Sequence, residues 1–227
     1  MSVLHTPGAS AKPVLVVVDV QRYYLEEGSD YYKYFRVEES TWYLERLKTA
    51  VPAMAKLLAG FRAQRWPVAF LRIASRFPDR SDLHRFFRDS WQKGSLSGVP
   101  AVYPLVDDLM SEITPDLAPE PGEQQFIKGT FSAFSSCPAF EQWLKSLENP
   151  SLVMTGLCTS QCVETTARDA SDRGFPVVLV EDALVDYEQD VHYASLWASR
   201  AVCGGMIVTS DEFLQHPLEI CESAGQL

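Results

Sequence analysis

The feature that most constrains this chain is a series of short apolar runs, rich in β-branched residues, set between stretches with helical periodicity. The first, Pro13-Val14-Leu15-Val16-Val17-Val18, ends in Asp19, and others follow at residues 67–73, 124–128, 151–156, 176–181 and 206–209. Apart from the weaker Gln124-Gln125-Phe126-Ile127-Lys128, these runs are nearly continuous in apolar character. That pattern belongs to a parallel sheet covered on both faces, where a side chain pointing either way meets a helix.

Helical patterns fill the intervals: 41–48, a helix opened by Pro52 and running through 53–59, then 138–147, 159–173, 191–203 and a last turn or two over 211–215. Proline suits a first helical position, where its missing N–H would be unpaired anyway. Glycine suits the residue after the last turn, as Gly174 does after 159–173 and Gly204-Gly205 after 191–203. Strand and helix alternating in this order predict a three-layer α/β/α domain around a parallel sheet. The stretch 77–123 is polar, proline-containing and weakly periodic. It reads as an irregular insert carrying short helices, a lid or an oligomer contact. No Gly/Ser-rich linker, repeat or low-complexity run divides the chain, so residues 1–227 are expected to form one domain.

Composition narrows the function. Lys plus Arg number 20 against 30 Asp plus Glu, a formal charge of −10. Such a surface repels nucleic-acid phosphates and anionic lipid, so neither partner is expected. The longest apolar runs fall far short of the ~20 residues that span a bilayer. The first residues lack the basic start and apolar stretch of a signal peptide, and a cytoplasmic location is expected. Five cysteines, Cys137, Cys158, Cys162, Cys203 and Cys221, form an odd, sparse set better suited to reduced thiols than to a disulfide framework.

Ligands of open parallel sheets bind beyond the carboxyl ends of the strands. Asp19 ends the first run and Lys128 the third. The fourth leads through Gly156-Leu157-Cys158 into a helix whose first turn holds Cys162. A helix N-terminus favours a thiolate through its unpaired N–H groups and dipole, and a nearby Lys128 would act the same way. Cys162 is therefore expected to titrate well below the ~8.5 of a free thiol. Asp19 can take the thiol proton and return it to a leaving amine. The N–H groups of Cys158 and Cys162 can hold an oxyanion. Taken together, these groups describe acyl transfer from an amide. Each also has a plainer role, as a cap, a solvated charge or a buried filler. No second Cys/His pair accompanies Cys158 and Cys162, and His5, His84, His192 and His216 are scattered. A structural zinc site is therefore not expected.

The fragments Val16-Val17-Val18-Asp19-Val20-Gln21, Lys128-Gly129-Thr130-Phe131-Ser132-Ala133-Phe134 and Thr155-Gly156-Leu157-Cys158-Thr159-Ser160-Gln161-Cys162 resemble the isochorismatase-like cysteine hydrolases. The similarity runs from about Pro13 to Glu212. It implies a six-stranded parallel sheet of order 3-2-1-4-5-6 and a triad of Asp19 as base, Lys128 as its ammonium partner and Cys162 as nucleophile. It also implies a cis peptide at Leu157–Cys158 and a homo-oligomer, dimer or tetramer. Nicotinamidases of this family carry an Asp-x-His…His metal cluster after the second strand; this chain reads Ile73-Ala74-Ser75-Arg76-Phe77-Pro78-Asp79-Arg80 there, so no metal or other cofactor is expected and nicotinamide is disfavoured. Isochorismatases proper cleave a vinyl ether without a cysteine. The Thr159-Ser160-x-Cys162 pattern is similar to the N-carbamoylsarcosine, maleamate and ureidoacrylate amidohydrolase branch, although Cys158 stands where Ala or Thr is common.

For the pocket, Tyr23, Tyr24, Tyr31, Tyr32, Tyr34 and Phe35 form an aromatic segment just after Asp19, able to wall a site or to pack on the core. Arg72, Arg76 and Arg168 are candidate carboxylate clamps, with Arg76 preferred. Gln21, Tyr24, Phe134 and Thr159 complete the candidate substrate contacts. The expected function is metal-free cysteine hydrolysis of a C–N bond in a small amide, carbamoyl or ureido compound. The alternatives are an enol-ether hydrolase of the isochorismatase type and a non-catalytic binding or oligomerisation module.

Overall fold

A sheet of six parallel strands runs through the molecule in the order β3-β2-β1-β4-β5-β6. The strands are β1 (Lys12–Val18), β2 (Val68–Ile73), β3 (Gln124–Lys128), β4 (Pro150–Leu157), β5 (Val177–Val185) and β6 (Met206–Val208). The computed structural model describes residues 11–35, 41–93, 102–200, 203 and 206–226. As the apolar runs require, every residue of β4 and all of β1 but Lys12 are buried. From β1 the chain builds outward through β2 to β3, then returns to place β4 on the other side of β1. The strand order therefore reverses between β1 and β4, and the crevice beyond their carboxyl ends is where such sheets hold ligands.

Helices cover both faces. On one, α3 (Thr41–Ala63) packs with α9 (Ser210–Gln215), which in turn contacts α10 (Pro217–Ala224). Phe61 and Phe213 stack there with ring centroids 5.6 Å apart. Elsewhere α5 (Ala133–Ser136) packs against both α6 (Pro138–Ser146) and α7 (Glu164–Asp172), and α7 against α8 (Gln189–Arg200). The short α1 (Arg22–Leu25) and α2 (Asp30–Phe35) follow Asp19, and α4 (Arg85–Lys93) lies in the insert.

Some element boundaries differ from the expectation. Pro52 lies inside α3 and does not open it. Proline leaves the carbonyl four residues back without a donor, but here that carbonyl belongs to exposed Lys48, where water can take the bond. The strand read at 176–181 continues as β5 to Val185, across a register shift against β4 between Met154 and Gly156. A final helix, α10, opened by Pro217, was not among the expected elements. The glycine stop at 204–205 and residues 94–101 of the insert lie outside the described residues. The remainder of the insert is tied to the sheet by bridges from Ser75 to Leu105 and from Gln21 to Ile113.

Candidate active site

Asp19 and Lys128 lie at strand ends, and Cys162 in the turn that follows one. Asp19 follows β1 with a left-handed φ of 52°, a conformation that aspartate tolerates better than most residues. Its N–H donates to the carbonyl of Leu71 at 2.9 Å, which holds the turn against β2. Lys128 is the last residue of the edge strand β3, and its long stem carries the ammonium past the end of β2. There Nζ donates to Asp19 Oδ2 at 2.7 Å and to the carbonyl of Thr130 at 3.1 Å. Both side chains are buried, 0% and 1% exposed.

The third group comes from the end of β4. Gly156 has a φ of 108°, and a Cβ there would lie 2.1 Å from the Val18 carbonyl oxygen, so only glycine lets β4 approach β1 this closely. The Leu157–Cys158 peptide is cis, as the resemblance implied. Beyond it, the helix expected over 159–173 divides into a π-helical turn, Thr159–Val163, followed by α7. The wide turn is closed by Val163 N–H donating to Cys158 O at 3.2 Å. Such turns recur at functional sites. Asp186 ties it down by accepting from Ser160 N–H at 2.6 Å. Cys162 is buried within this turn, its thiol in hydrogen-bonding reach of both Asp19 and Lys128. Asp19 Oδ1 is buried without a well-formed hydrogen bond among the described residues, which leaves a lone pair for the thiol proton.

The electrostatics overturn one expectation. Burial pushes the Cys162 thiol up, not down; the Lys128 charge opposes the rise, and the Asp19 carboxylate adds to it. The helix-terminus argument omitted desolvation and the negative partner already paired with the lysine. Burial likewise raises Asp19 above its ordinary value against the pull of Lys128. Burial works against the Lys128 cation, but its partners, the Asp19 carboxylate foremost, hold it above its ordinary value. The three groups are then a neutral Cys162 thiol beside the 2.7 Å Lys128–Asp19 ion pair.

Tyrosines surround it. Tyr24, from the segment singled out above, is buried close to Asp19 and Cys162. Beside it is Tyr103, which the insert delivers. Tyr187, just past β5, lies beside the Cys158 thiol and Tyr31, its ring centroid 6.2 Å from that of Tyr31, and Tyr43 of α3 stacks on Tyr187 with centroids 6.3 Å apart. Burial raises all of these phenols well above their ordinary value, so the wall is neutral. Tyr43, Tyr103 and Tyr187 were not anticipated. Only Tyr187 carried a signal, its place after a strand end.

Other candidate contacts are occupied elsewhere. The Gln21 amide donates to the carbonyls of Ile73 and Ser111 and accepts from Ile73 N–H, so it joins β1 to β2 and the insert. The Phe134 ring packs between Phe140 and Phe175, under the Arg173 guanidinium. The Thr159 hydroxyl is turned back toward Val185 and His192. Arg76 is exposed beside Asp82, Arg168 pairs with Glu164, and Arg72 donates to the Ser111 carbonyl. Tyr32 bonds the Leu25 carbonyl, and the side chains of Tyr34 and Phe35 lie outside the described residues. All five cysteines are free thiols. No group of three or more His, Cys, Asp or Glu among the described residues could hold a metal ion, and no described helix is long and apolar enough to cross a membrane.

A 3-2-1-4-5-6 parallel sheet with a buried carboxylate, ammonium and thiol at its switch point defines the class: an α/β protein with the layout of the isochorismatase-like hydrolases. The isochorismatase domain profile matches residues 13–212, and the chain belongs to that family. It is 28% identical to a ureidoacrylate amidohydrolase of Enterobacter over 74% of this chain and 73% of that one. It is 24% identical to a maleamate amidohydrolase of Pseudomonas putida over 92% and 88%. The N-carbamoylsarcosine amidase of Thermoplasma acidophilum shares the fold, with a TM-score of 0.67 at 22% identity, over 88% of this chain and 97% of that one.

Proposed function

We propose that this protein is a cysteine amidohydrolase, folded as one domain, which cleaves the C–N bond of a small amide, carbamoyl or ureido compound through a thioester. The observation that carries the reading is the buried contact of Asp19, Lys128 and Cys162. Asp19 takes the Cys162 proton through its open oxygen as the sulfur attacks the carbonyl carbon. Before transfer Lys128 pairs with a carboxylate, and after it with a thiolate. The negative charge never loses its partner, so the transfer avoids the cost of creating a new charge in a low-dielectric site. A carboxyl group with a raised pKa is also a stronger base toward a thiol.

Ser160, Gln161 and Val163 have committed their N–H groups to Asp186 and Cys158. The N–H groups of Cys158 and Cys162 would hold the oxyanion. The C–N bond breaks as Asp19 returns its proton to the leaving nitrogen, giving ammonia or an amine. Water then attacks the thioester and restores the thiol. The ureidoacrylate and maleamate amidohydrolase relatives support a C–N bond over an enol ether. Ammonia release over a panel of small primary amides and ureides tests the reading. Wild-type protein should turn over at least one compound, and Cys162→Ala should reduce that rate by about 10³-fold or more. Full activity in the variant would return the reading to enol-ether or other cysteine-independent chemistry.

A further inference from the structure

Behind the nucleophile runs a line of polar groups that the chemical steps do not use. Thr159, the first residue of the π-helical turn, is buried. Its Oγ1 lies 3.1 Å from the Val185 carbonyl and 2.9 Å from His192 Nδ1. His192, on α8, is fully buried, and its Nε2 lies 3.3 Å from an Arg46 terminal nitrogen. Arg46, on α3, donates through Nε to the Leu184 carbonyl at 2.9 Å and through a terminal nitrogen to the Glu181 carbonyl. Those carbonyls lie where β5 departs from its register with β4.

The proton positions have one solution. A guanidinium offers donors only, so His192 Nε2 must accept, and the neutral ring carries its proton on Nδ1. Nδ1–H then donates to Thr159 Oγ1, whose own proton goes to the Val185 carbonyl. Burial, reinforced by Arg46, lowers the His192 pKa to about 4, so the ring keeps this single tautomer at neutral pH. The turn is therefore pinned at two consecutive residues, Thr159 by this line and Ser160 by Asp186.

We propose that His192 is a positioning residue: Arg46, His192 and Thr159 form a directional hydrogen-bond relay that fixes the 159–163 turn and aims the Cys162 sulfur at Asp19. The inference rests on the reading of Cys162 as nucleophile. A displacement of the sulfur by ~1 Å is enough to slow reaction by about 100-fold.

The test compares two amide replacements by the rate of Cys162 alkylation with iodoacetamide, read by peptide mass spectrometry. His192→Asn places an amide N–H near Nδ1 and keeps the donor to Thr159. His192→Gln places its carbonyl near Nε2 and keeps the acceptor for Arg46, but loses that donor. The relay predicts that His192→Asn stays within about threefold of wild type and His192→Gln falls at least about tenfold. Thr159→Ser should keep the rate, and the isosteric Thr159→Val should lose it to the same extent. A merely space-filling histidine predicts the reverse, since glutamine is closer to its volume and valine matches threonine.

In the unaltered protein, ¹⁵N shifts should show a protonated Nδ1 and an unprotonated Nε2 at neutral pH. The opposite tautomer, or an imidazolium, overturns the proposal even if every variant misfolds. Asp19→Asn separates the two layers of the argument. If it leaves alkylation unchanged, the reading of the triad fails. If it slows alkylation while His192→Gln does not, the relay alone fails.

Discussion

Two ion pairs of the same length, 2.7 Å, sit in opposite settings. Arg22–Glu26 spans one turn at α1, with its side chains 24% and 34% exposed, while Lys128–Asp19 lies at the switch point, 0% and 1% exposed. Water screens the first pair, and contacts of that kind contribute about 0–1 kcal/mol. The second has shed hydration from both ions, a loss that attraction seldom recovers in full. A buried pair is thus a poor way to stabilise a fold. In the proposed reaction it supplies a base with one open oxygen and a cation that can turn to the sulfur.

The largest effect should come from breaking the buried pair on one side. Lys128→Met leaves Asp19 as an uncompensated buried charge and should lower unfolding free energy by about 3–5 kcal/mol in urea titrations at pH 7. Adding Asp19→Asn should restore most of that loss, because the two changes together remove both charges and act on one contact. A single variant as stable as wild type would mean that water reaches the pair and the comparison is empty.

An intermediate effect concerns a buried group that stays neutral. His192 has its pKa lowered from 6.5 to about 4, so between those values the unfolded chain binds a proton that the folded one refuses. Stability therefore rises with pH across that window, and about 1–3 kcal/mol should be lost on going from pH 7 to pH 4. His192→Asn should flatten this part of the stability profile; an unchanged slope would assign it to other groups. The smallest effect belongs to the surface. Glu26→Gln should change stability by no more than about 0.5 kcal/mol, and less at high salt. A loss comparable to that of Lys128→Met would erase the contrast.

Asp19, Lys128 and Cys162 were legible because each ends a strand run or opens the segment after one, and the sheet topology alone brings such positions to one rim. The strand order also followed from the resemblance; β5 differs only in extent, while α3 joins two stretches that were read as separate at Pro52. What remained hidden depends on contacts far apart in the chain. Nothing local shows that Gln21 would spend its amide on Ile73 and Ser111, or that Thr159 would turn its hydroxyl back to His192. The scattered histidines gave no sign that His192 would meet Arg46 across 146 residues. The direction of the Cys162 shift was misread for a similar reason. Position in a helix can be read locally, but the burial that opposes it is a property of the whole fold.

The central claim is that Cys162 is acylated during turnover. Turnover of an amide found by the ammonia assay, quenched with acid and analysed by peptide mass spectrometry, tests it directly. The account predicts one adduct, on the peptide bearing Cys162, with the mass of the substrate acyl group after loss of ammonia or amine, and its disappearance in Asp19→Asn. Steady release of ammonia with no adduct on that peptide, undiminished in Cys162→Ala, would contradict it.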